Sequence, residues 1–489
     1  MSTPAEAPRW PRALSRACAL LVAMVLLLGV AAPGATRQAR AAGPDLEASV
    51  AGSPFRGGSG ARARVTLQVR LAERARLRVE VRTFGGSRVR LLATDVRRDA
   101  GDWSFRWDGR DARGRLLPDG PYRLRVTATI GEERLVLERW VTKAPGVPPV
   151  PAAGSIVVAI NPGHGGSDPG ATSGSLEEAD ANLSIARRVQ RMLEGAGVVV
   201  VMTRTGDHDV NRPATDVDGS GRIDHHDELV ARLDVANLAR ADLTLNIHNN
   251  ATACHCASGT ETFVDTRRPW GSSNAALGRA VQRALVRRLR AFEDGSWRVR
   301  DRGLGSGSYV SLSGGATAGD RPSLMPSVLG ESLFVDQPGD RRRLASSSVR
   351  TAIAAAYYDG VVAWLRERRL AAHYSRLAAP STVAAGGTAA VGVRVRATGR
   401  QALAGWRLEA RLVPAVPVLD GSGARGRLVG SVALGRLAPG EARDLEVPIT
   451  LPDETRDWLL KLDLVRLDGR RLSRTGVVQP QLRISTLDP

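Results

Sequence analysis

The chain has 489 residues and a formal net charge of +19, and nearly all of its cationic side chains are arginine. At roughly 100–200 residues per domain, this length predicts three or four domains, each large enough to bury its own core. The positive charge either reflects genomic base composition or indicates attraction to a polyanion. Because no basic-aromatic motif or helix-turn-helix pattern accompanies it, we expect no nucleic-acid partner.

Residues 1–42 are typical of a secretory signal peptide. Arginines precede an apolar run from Ala19 to Ala32, and Ala39-Arg40-Ala41 is an A-x-A cleavage site. The run is too short to span a bilayer comfortably, although an uncleaved anchor is the alternative. We therefore expect a mature chain that is secreted to the cell envelope with no stable membrane span. The polyanion would then be an anionic wall polymer or lipid headgroups.

Residues 44–143 alternate apolar and polar side chains over short runs, which predicts an all-β sandwich. In the segment from Trp107 to Tyr122, two Asp/Gly turns flank a short edge segment, and a strand of alternating apolar and polar residues follows. This segment resembles a turn in the immunoglobulin-like domain of flagellar hook-capping proteins. The resemblance implies an immunoglobulin-like fold here and says nothing of function.

A proline-rich linker at residues 144–154 leads into residues 155–369, where predicted strands and helices alternate. This alternation predicts an α/β domain with a mostly parallel sheet. The predicted strands are 155–160, 198–202 and 243–247, and the predicted helices are 181–194, 229–241, 275–290 and 346–366. Residues 370–489 return to short alternating strands and predict a second immunoglobulin-like β-sandwich, which could be a binding module.

Several chemically reactive side chains fall near the carboxyl ends of predicted strands in the α/β domain. His164 and His248 each follow a strand, Glu331 lies in or at the end of another, and Glu177 and Glu178 precede the first helix. Ligands of open α/β sheets bind at this edge, so these side chains should converge. Two imidazoles and one carboxylate with an open fourth position are typical of catalytic zinc. A further carboxylate could then move protons.

The ordered combination resembles the zinc-dependent N-acetylmuramoyl-L-alanine amidases of bacterial cell walls. The resemblance covers residues 156–365. Its landmarks are NPGHGGSDPGA (161–171), LEEADANL (176–183), TRT (203–205), Arg232 with 236–237, ADLTLNIHNNA (241–251), GTET (259–262), DRG (301–303) and PSVLGESLF (326–334). The resemblance implies a six-stranded α/β fold with helices on both faces and cleavage of the muramoyl–L-alanine amide of peptidoglycan.

The resemblance also implies roles for individual residues. It assigns one catalytic zinc to His164, Glu178 and His248, with Glu178 preferred over Glu177 because it lies five residues before Leu183. It makes Glu331 the general base and acid, and it places Asn250 and Arg302 near the substrate. Two departures from the family pattern are the segment 246–250, which reads Asn-Ile-His-Asn-Asn where Ser-Ile-His-Ala-Asn is usual, and Gly330, where valine is common. These should alter the surroundings of the metal and not its ligands.

Cys254 and Cys256 are the only cysteines of the predicted mature chain and lie shortly after His248. An accessory metal or redox site is one interpretation. A surface-loop disulfide or free thiols is the preferred alternative, although a disulfide between residues i and i+2 has awkward geometry.

An acidic insert at residues 206–231 contains a segment, 216–227, with the register of an EF-hand calcium loop. The insert ends in a helix that carries Arg232, so a structural Ca²⁺ ion would fix the start of that helix. An aspartate at position 12 makes the loop resemble dockerin calcium loops, and an acidic surface loop is the alternative. The expected calcium ligands are Asp216, Asp218, Ser220, Arg222 through its carbonyl, Asp224 and Asp227.

The leading hypothesis is therefore a monomeric, secreted zinc amidase that acts on peptidoglycan. A wall-binding protein that kept the fold and lost catalysis is the alternative, but all four zinc and proton-transfer residues are present. Another type of zinc hydrolase is disfavoured, since no His-Glu-x-x-His motif occurs.

Overall fold

The computed structural model describes residues 46–60, 63–144, 156–313, 323–368, 370–415, 426–477 and 479–487. The predicted signal peptide and all of the predicted linker except Ala144 lie outside these residues. The described residues from Leu46 onward belong to one compact unit. Among the helices that the structure describes, none is long and apolar enough to cross a membrane.

The first strand-rich region forms two antiparallel sheets. Their order is β1-β2-β5 and β4-β3-β6-β7. The strands are β1 (Leu46–Ala51), β2 (Val65–Leu71), β3 (Ala75–Thr83), β4 (Arg88–Arg98), β5 (Gly101–Trp107), β6 (Gly120–Ile130) and β7 (Glu133–Lys143). In β2, the side chains of Val65, Leu67, Val69 and Leu71 are buried while their neighbours are more exposed, as the alternation predicts.

The central region contains a six-stranded sheet of order β11-β8-β12-β15-β13-β14. Neighbouring strands run parallel, except that β13 and β15 are antiparallel. The predicted α/β pattern is thus confirmed, with a mixed sheet. The strands are β8 (Val157–Pro162), β9 (Thr172–Ser173), β10 (Leu176–Glu177), β11 (Val199–Met202), β12 (Leu243–Asn250), β13 (Thr260–Val264), β14 (Asp301–Ser306) and β15 (Ser327–Phe334). The two short strands β9 and β10 pair separately.

Helices cover both faces of this sheet. They are α1 (Glu178–Glu194), α2 (His225–Leu238), α3 (Gly271–Leu289), α4 (Val310–Ser313), α5 (Pro338–Ala345) and α6 (Ser347–Glu367). Val158 and Ile160 of β8 join the apolar core built with α1, α3 and α6. Ala159, which points to the opposite face, packs in a smaller cluster with Ala236 of α2.

Three of the element boundaries that differ from the predicted ones concern the candidate site. Helix α1 begins at Glu178 and not at residue 181, so Glu178 lies in its first turn. Helix α2 begins at His225 and not at residue 229, because Asp224 and Asp227 form a capping box. Strand β12 extends to Asn250, so His248 lies within the strand and not after it.

The last strand-rich region also forms two sheets, of order β16-β18-β21 and β17-β23-β22-β19-β20. The strands are β16 (Ala372–Ala378), β17 (Thr382–Ala384), β18 (Thr388–Ala397), β19 (Trp406–Pro414), β20 (Arg427–Ala433), β21 (Ala442–Thr450), β22 (Asp457–Arg466) and β23 (Gln481–Leu487). The two sheets share one apolar core, which includes Val393, Leu408 and Leu462.

Candidate metal centre

His164 lies in the loop that follows β8, in a left-handed backbone conformation with φ of 59°. Such a conformation is costly for a residue other than glycine and needs support from its surroundings. Buried Arg232 supplies this support, since its guanidinium donates to the carbonyl oxygens of Pro162 and His164 at 2.8 Å each. The His164 Nδ1 atom lies 2.7 Å from Asp168 Oδ2, which fixes the orientation of the ring.

Glu178 presents its carboxylate from the first turn of α1 and is only 4% exposed. Its Oε1 atom accepts hydrogen bonds from Asn182 Nδ2 at 3.0 Å and from the Asn249 backbone N–H at 3.1 Å. Its Oε2 atom accepts the Ala171 backbone N–H at 3.1 Å. The carboxylate is therefore held from one strand, a loop and its own helix.

The structure brings His164, Glu178 and His248 together. One ligand atom from each lies within 4.8 Å of the others. Glu178 Oε2 is 3.2 Å from His164 Nε2, and Glu178 Oε1 is 3.2 Å from His248 Nδ1. A glycine is required for this approach, because a Cβ atom at Gly163 would lie 2.1 Å from His248 Cε1.

The electrostatics of two of the three side chains, Glu178 and His248, suit metal binding. Burial acts to raise the pKa of Glu178, but hydrogen bonds from His164 and His248 outweigh it and hold the pKa far below its usual range. Burial lowers the pKa of His248, against the opposing effect of Glu178. Burial also acts to lower the pKa of His164, but Glu178 and Asp168 raise it overall. These shifts favour the ionised form of Glu178 and the neutral form of His248, as metal binding requires, whereas the raised pKa of His164 favours its protonated form.

The chemistry of this ligand set fits a catalytic divalent ion. Two imidazole nitrogens and one carboxylate oxygen form one of the common protein ligand sets of catalytic zinc. The backbone around them is shaped for close approach, since a Cβ atom at Gly170 would lie 2.7 Å from His164 Cδ2 and 2.8 Å from Glu178 Oε2. This His-Glu-His group can therefore hold a metal.

Glu331 lies beside the metal ligands on β15. Strand register places it next to His248 of β12 on one side and next to Glu261 of β13 on the other. Its Oε2 atom is buried and has no hydrogen-bond partner among the described residues. Burial, and then the charges of Glu178 and Glu261, raise the pKa of Glu331 well above its usual range. A cation held by Glu178 would oppose that effect.

The two predicted substrate residues meet at a carboxylate that the sequence analysis left without a role. Asn250 Nδ2 donates to Glu261 Oε1 at 2.5 Å, and Arg302 Nε donates to Glu261 Oε2 at 3.0 Å. Arg302 also lies over the Phe334 ring, 5.3 Å from its centroid. Glu261 belongs to the sequence motif at residues 259–262. Its position between Asn250 and Arg302 is evident only from the structure. Asp168 likewise belongs to a sequence motif, and its contact with the His164 ring is evident only from the structure.

The two departures from the family pattern have a structural basis. Asn246 is buried, and its Nδ2 atom donates to Ser327 Oγ and to the Val328 carbonyl oxygen at 3.0 Å each. Gly330 lies against Tyr357, whose hydroxyl donates to the Gly330 carbonyl oxygen at 2.9 Å. A Cβ atom at Gly330 would lie 2.2 Å from that hydroxyl, so the tyrosine occupies the space of a side chain.

Cys254 and Cys256 form a disulfide despite their separation of two residues. His255 between them has φ of 51°, and its Nδ1 atom lies 3.0 Å from Asp336 Oδ2. The structure thus has the loop disulfide that was part of the preferred interpretation.

The segment 216–227 brings Asp216, Asp218 and Asp227 together, with one carboxylate oxygen of each within 4.8 Å of the others. Asp224 instead caps α2, since its side chain accepts the His226 backbone N–H at 2.8 Å. The remaining two expected ligands, Ser220 Oγ and the Arg222 carbonyl oxygen, lie 3.5 Å apart. Three of the six expected ligands therefore form a compact carboxylate cluster.

Comparisons with known proteins agree with the geometry. Residues 158–363 match the family profile described as N-acetylmuramoyl-L-alanine amidase, and residues 53–132 match the FlgD Ig-like domain. The amidase LytC of Bacillus subtilis is 30% identical over 207 residues, which is 42% of this chain and 35% of LytC. The germination-specific N-acetylmuramoyl-L-alanine amidase of the same organism is 28% identical over 45% of this chain and 83% of its own length.

Among solved structures, the N-acetylmuramoyl-L-alanine amidase AmiC2 of Nostoc punctiforme is 26% identical, with a TM-score of 0.34. The match covers 44% of this chain and 100% of that one. The similarity to LytC spans only about a third of that protein's length. The family profile, by contrast, spans the sheet and every residue of the His-Glu-His group. Residues 158–363, less than half of the chain, are therefore similar to the N-acetylmuramoyl-L-alanine amidase family.

Proposed function

We propose that the protein is a zinc-dependent hydrolase that cleaves the amide bond between N-acetylmuramic acid and L-alanine in peptidoglycan. The observation that carries the proposal is the preorganised group of His164, Glu178 and His248 beside the buried carboxyl of Glu331. The family match over residues 158–363 supports the choice of substrate bond.

The proposed reaction divides into a metal role and a proton-transfer role. A zinc ion on the three ligands would act as a Lewis acid and lower the pKa of water. Glu331 would accept one proton from the attacking water as the water oxygen bonds to the lactyl carbonyl carbon. Glu331 would then deliver that proton to the alanine nitrogen as the C–N bond breaks. The position of Glu331 next to His248 across the β12–β15 pair supports this role.

We also propose that Asn250 and Arg302 contact the substrate. Both side chains bind Glu261, which lies next to Glu331 in the sheet, so all four lie at the same edge. A secreted protein with a net charge of +19 would also be attracted to anionic wall polymers.

We further propose that the segment 216–227 binds one structural calcium ion. The clustered carboxylates of Asp216, Asp218 and Asp227 support this proposal, because hard oxygen ligands are those that Ca²⁺ prefers. Removal of calcium with EGTA should lower the melting temperature of zinc-loaded protein, and Asp216→Ala should abolish that calcium response. An unchanged melting temperature in both experiments would refute the calcium site.

The proposed activity is tested by mass spectrometry of the products that the purified protein releases from peptidoglycan. We expect intact stem peptides with free L-alanine amino termini, and no such products from Glu331→Gln. Products of glycan cleavage would contradict the proposed bond specificity. The absence of any product from zinc-loaded protein would favour a wall-binding protein without catalysis.

A further inference from the structure

A third imidazole, that of His225, lines the cavity of the candidate metal centre. This cavity has a volume of about 130 Å³ and is lined by His225 together with His164, His248, Asp168 and Tyr309, among other residues. His225 is exposed, and its ring nitrogens make no hydrogen bond to any residue that the structure describes. It comes from the acidic insert, and the sequence analysis gave it no role.

The backbone at His225 is held by a helix cap, although the His225 side chain is exposed. It is the first residue of α2, directly after the Asp224 cap, and Asp224 and Asp227 form the capping box at that end. Glu228, one turn later, accepts the backbone N–H groups of Val210 and Asn211 at 2.7–2.9 Å. Glu228 also accepts Arg232 Nε at 2.8 Å.

The same helix is tied to the loop that carries His164. Arg232 donates from α2 to the His164 carbonyl oxygen at 2.8 Å. The backbone of His225 is therefore held relative to His164 by a helix rather than by a loop, which suits a residue of an active site.

His225 shares one cavity with two of the three candidate metal ligands, His164 and His248. An amide that enters this cavity beside His164 and His248 would therefore meet a lining that includes the His225 side chain.

We propose that His225 is a further catalytic residue, whose imidazole N–H donates a hydrogen bond to the carbonyl oxygen of the scissile amide as that oxygen gains negative charge. The inference rests on the proposed amide hydrolysis. A fixed donor aimed at a developing oxyanion stabilises the transition state more than the bound substrate.

The test is the steady-state kinetics of His225→Ala and His225→Gln on a soluble disaccharide-peptide fragment of peptidoglycan. We expect His225→Ala to lower kcat about 100- to 1,000-fold, the usual effect of removing one oxyanion donor, with little change in KM. His225→Gln should recover part of the loss, because its amide N–H can donate. Zinc content and melting temperature should equal those of the wild type.

His208→Ala is the matched control. His208 belongs to the same insert, but its ring is bound to the Asp209 carbonyl oxygen and does not line the cavity. This variant should keep the wild-type kcat. An effect of His225→Ala within about threefold of wild type, or an equal loss in His208→Ala, would overturn the proposal.

A second measurement separates this proposal from the proposed function. A phosphinate analogue of the muramoyl–L-alanine unit carries a tetrahedral anionic group, and its affinity for zinc-loaded protein is measurable by calorimetry. We expect about 100-fold weaker binding to His225→Ala than to the wild type, whereas equal affinity refutes the role of His225. A wild-type protein that releases no alanine-terminated peptide would refute the amidase function, whereas wild-type cleavage together with equal phosphinate affinity of His225→Ala would refute only the role of His225.

Discussion

Gly163→Ala is expected to destroy the metal site by displacing one of its ligands. The added Cβ atom would lie 2.1, 2.3 and 2.5 Å from His248 Cε1, Nε2 and Nδ1. Non-bonded carbon atoms normally remain about 3.5–4.0 Å apart, so the imidazole ring must move by more than about 1 Å. Zinc–ligand distances tolerate only about 0.2 Å, so this movement removes His248 from the ligand set.

The expected result is a loss of zinc affinity well above 100-fold, because changing only an outer-shell partner already costs about 10- to 100-fold. Overpacking should also lower the free energy of unfolding of the metal-free protein by about 1–3 kcal/mol. Competition with a chromophoric chelator measures the affinity, and urea unfolding measures the stability. Gly295→Ala is the control, since its Cβ atom would have no neighbour within 4 Å. Zinc affinity within threefold of wild type in Gly163→Ala would refute the reasoning.

Three further predictions concern polar side chains. Asp168→Asn should weaken zinc binding about 10- to 100-fold in the same chelator assay, because Asp168 orients the His164 ring; wild-type affinity would contradict this. Asn246→Ala should lower the free energy of unfolding by about 1–3 kcal/mol in urea, since it removes the hydrogen-bond partner of buried Asn161; an unchanged urea midpoint would contradict this. Burial, chiefly, raises the pKa of Asp463 to about 6, so the folded state binds this proton more tightly than the unfolded state. The associated stabilisation, about 3 kcal/mol, should be lost as the pH rises from about 4 to 6, and Asp463→Asn should remove that loss in urea titrations.

The sequence could predict which side chains the structure brings together, because they lie in short motifs at the ends of regular elements. His164 and Glu331 were found from their position relative to buried strands, and the choice of Glu178 over Glu177 relied on its spacing from a helix leucine. The structure places Glu178 within that helix with its carboxylate against both imidazoles. Alternation also predicted strands such as β2, because one face of each is buried.

Features that depend on contacts between distant segments could not be predicted. Glu261 lies between Asn250 and Arg302 only because β13 runs antiparallel to β15, a pairing that no local pattern specifies. His225 faces the cavity because α2 begins earlier than its apolar periodicity indicates, at a cap whose acidic residues also suggest calcium binding. When a short sequence segment fits two roles, the role can be assigned only once the residues that contact it in the folded chain are known.

The most direct test of the central claim measures zinc content and cleavage rate in the same sample of Glu331→Gln. The His-Glu-His group does not include Glu331, so this variant should bind one zinc ion per chain as the wild type does. Its rate of cleavage of the muramoyl–L-alanine bond should fall at least about 100-fold, the scale of general acid–base catalysis. A zinc-loaded variant that cleaves at a rate near that of the wild type would contradict the assignment of proton transfer to Glu331.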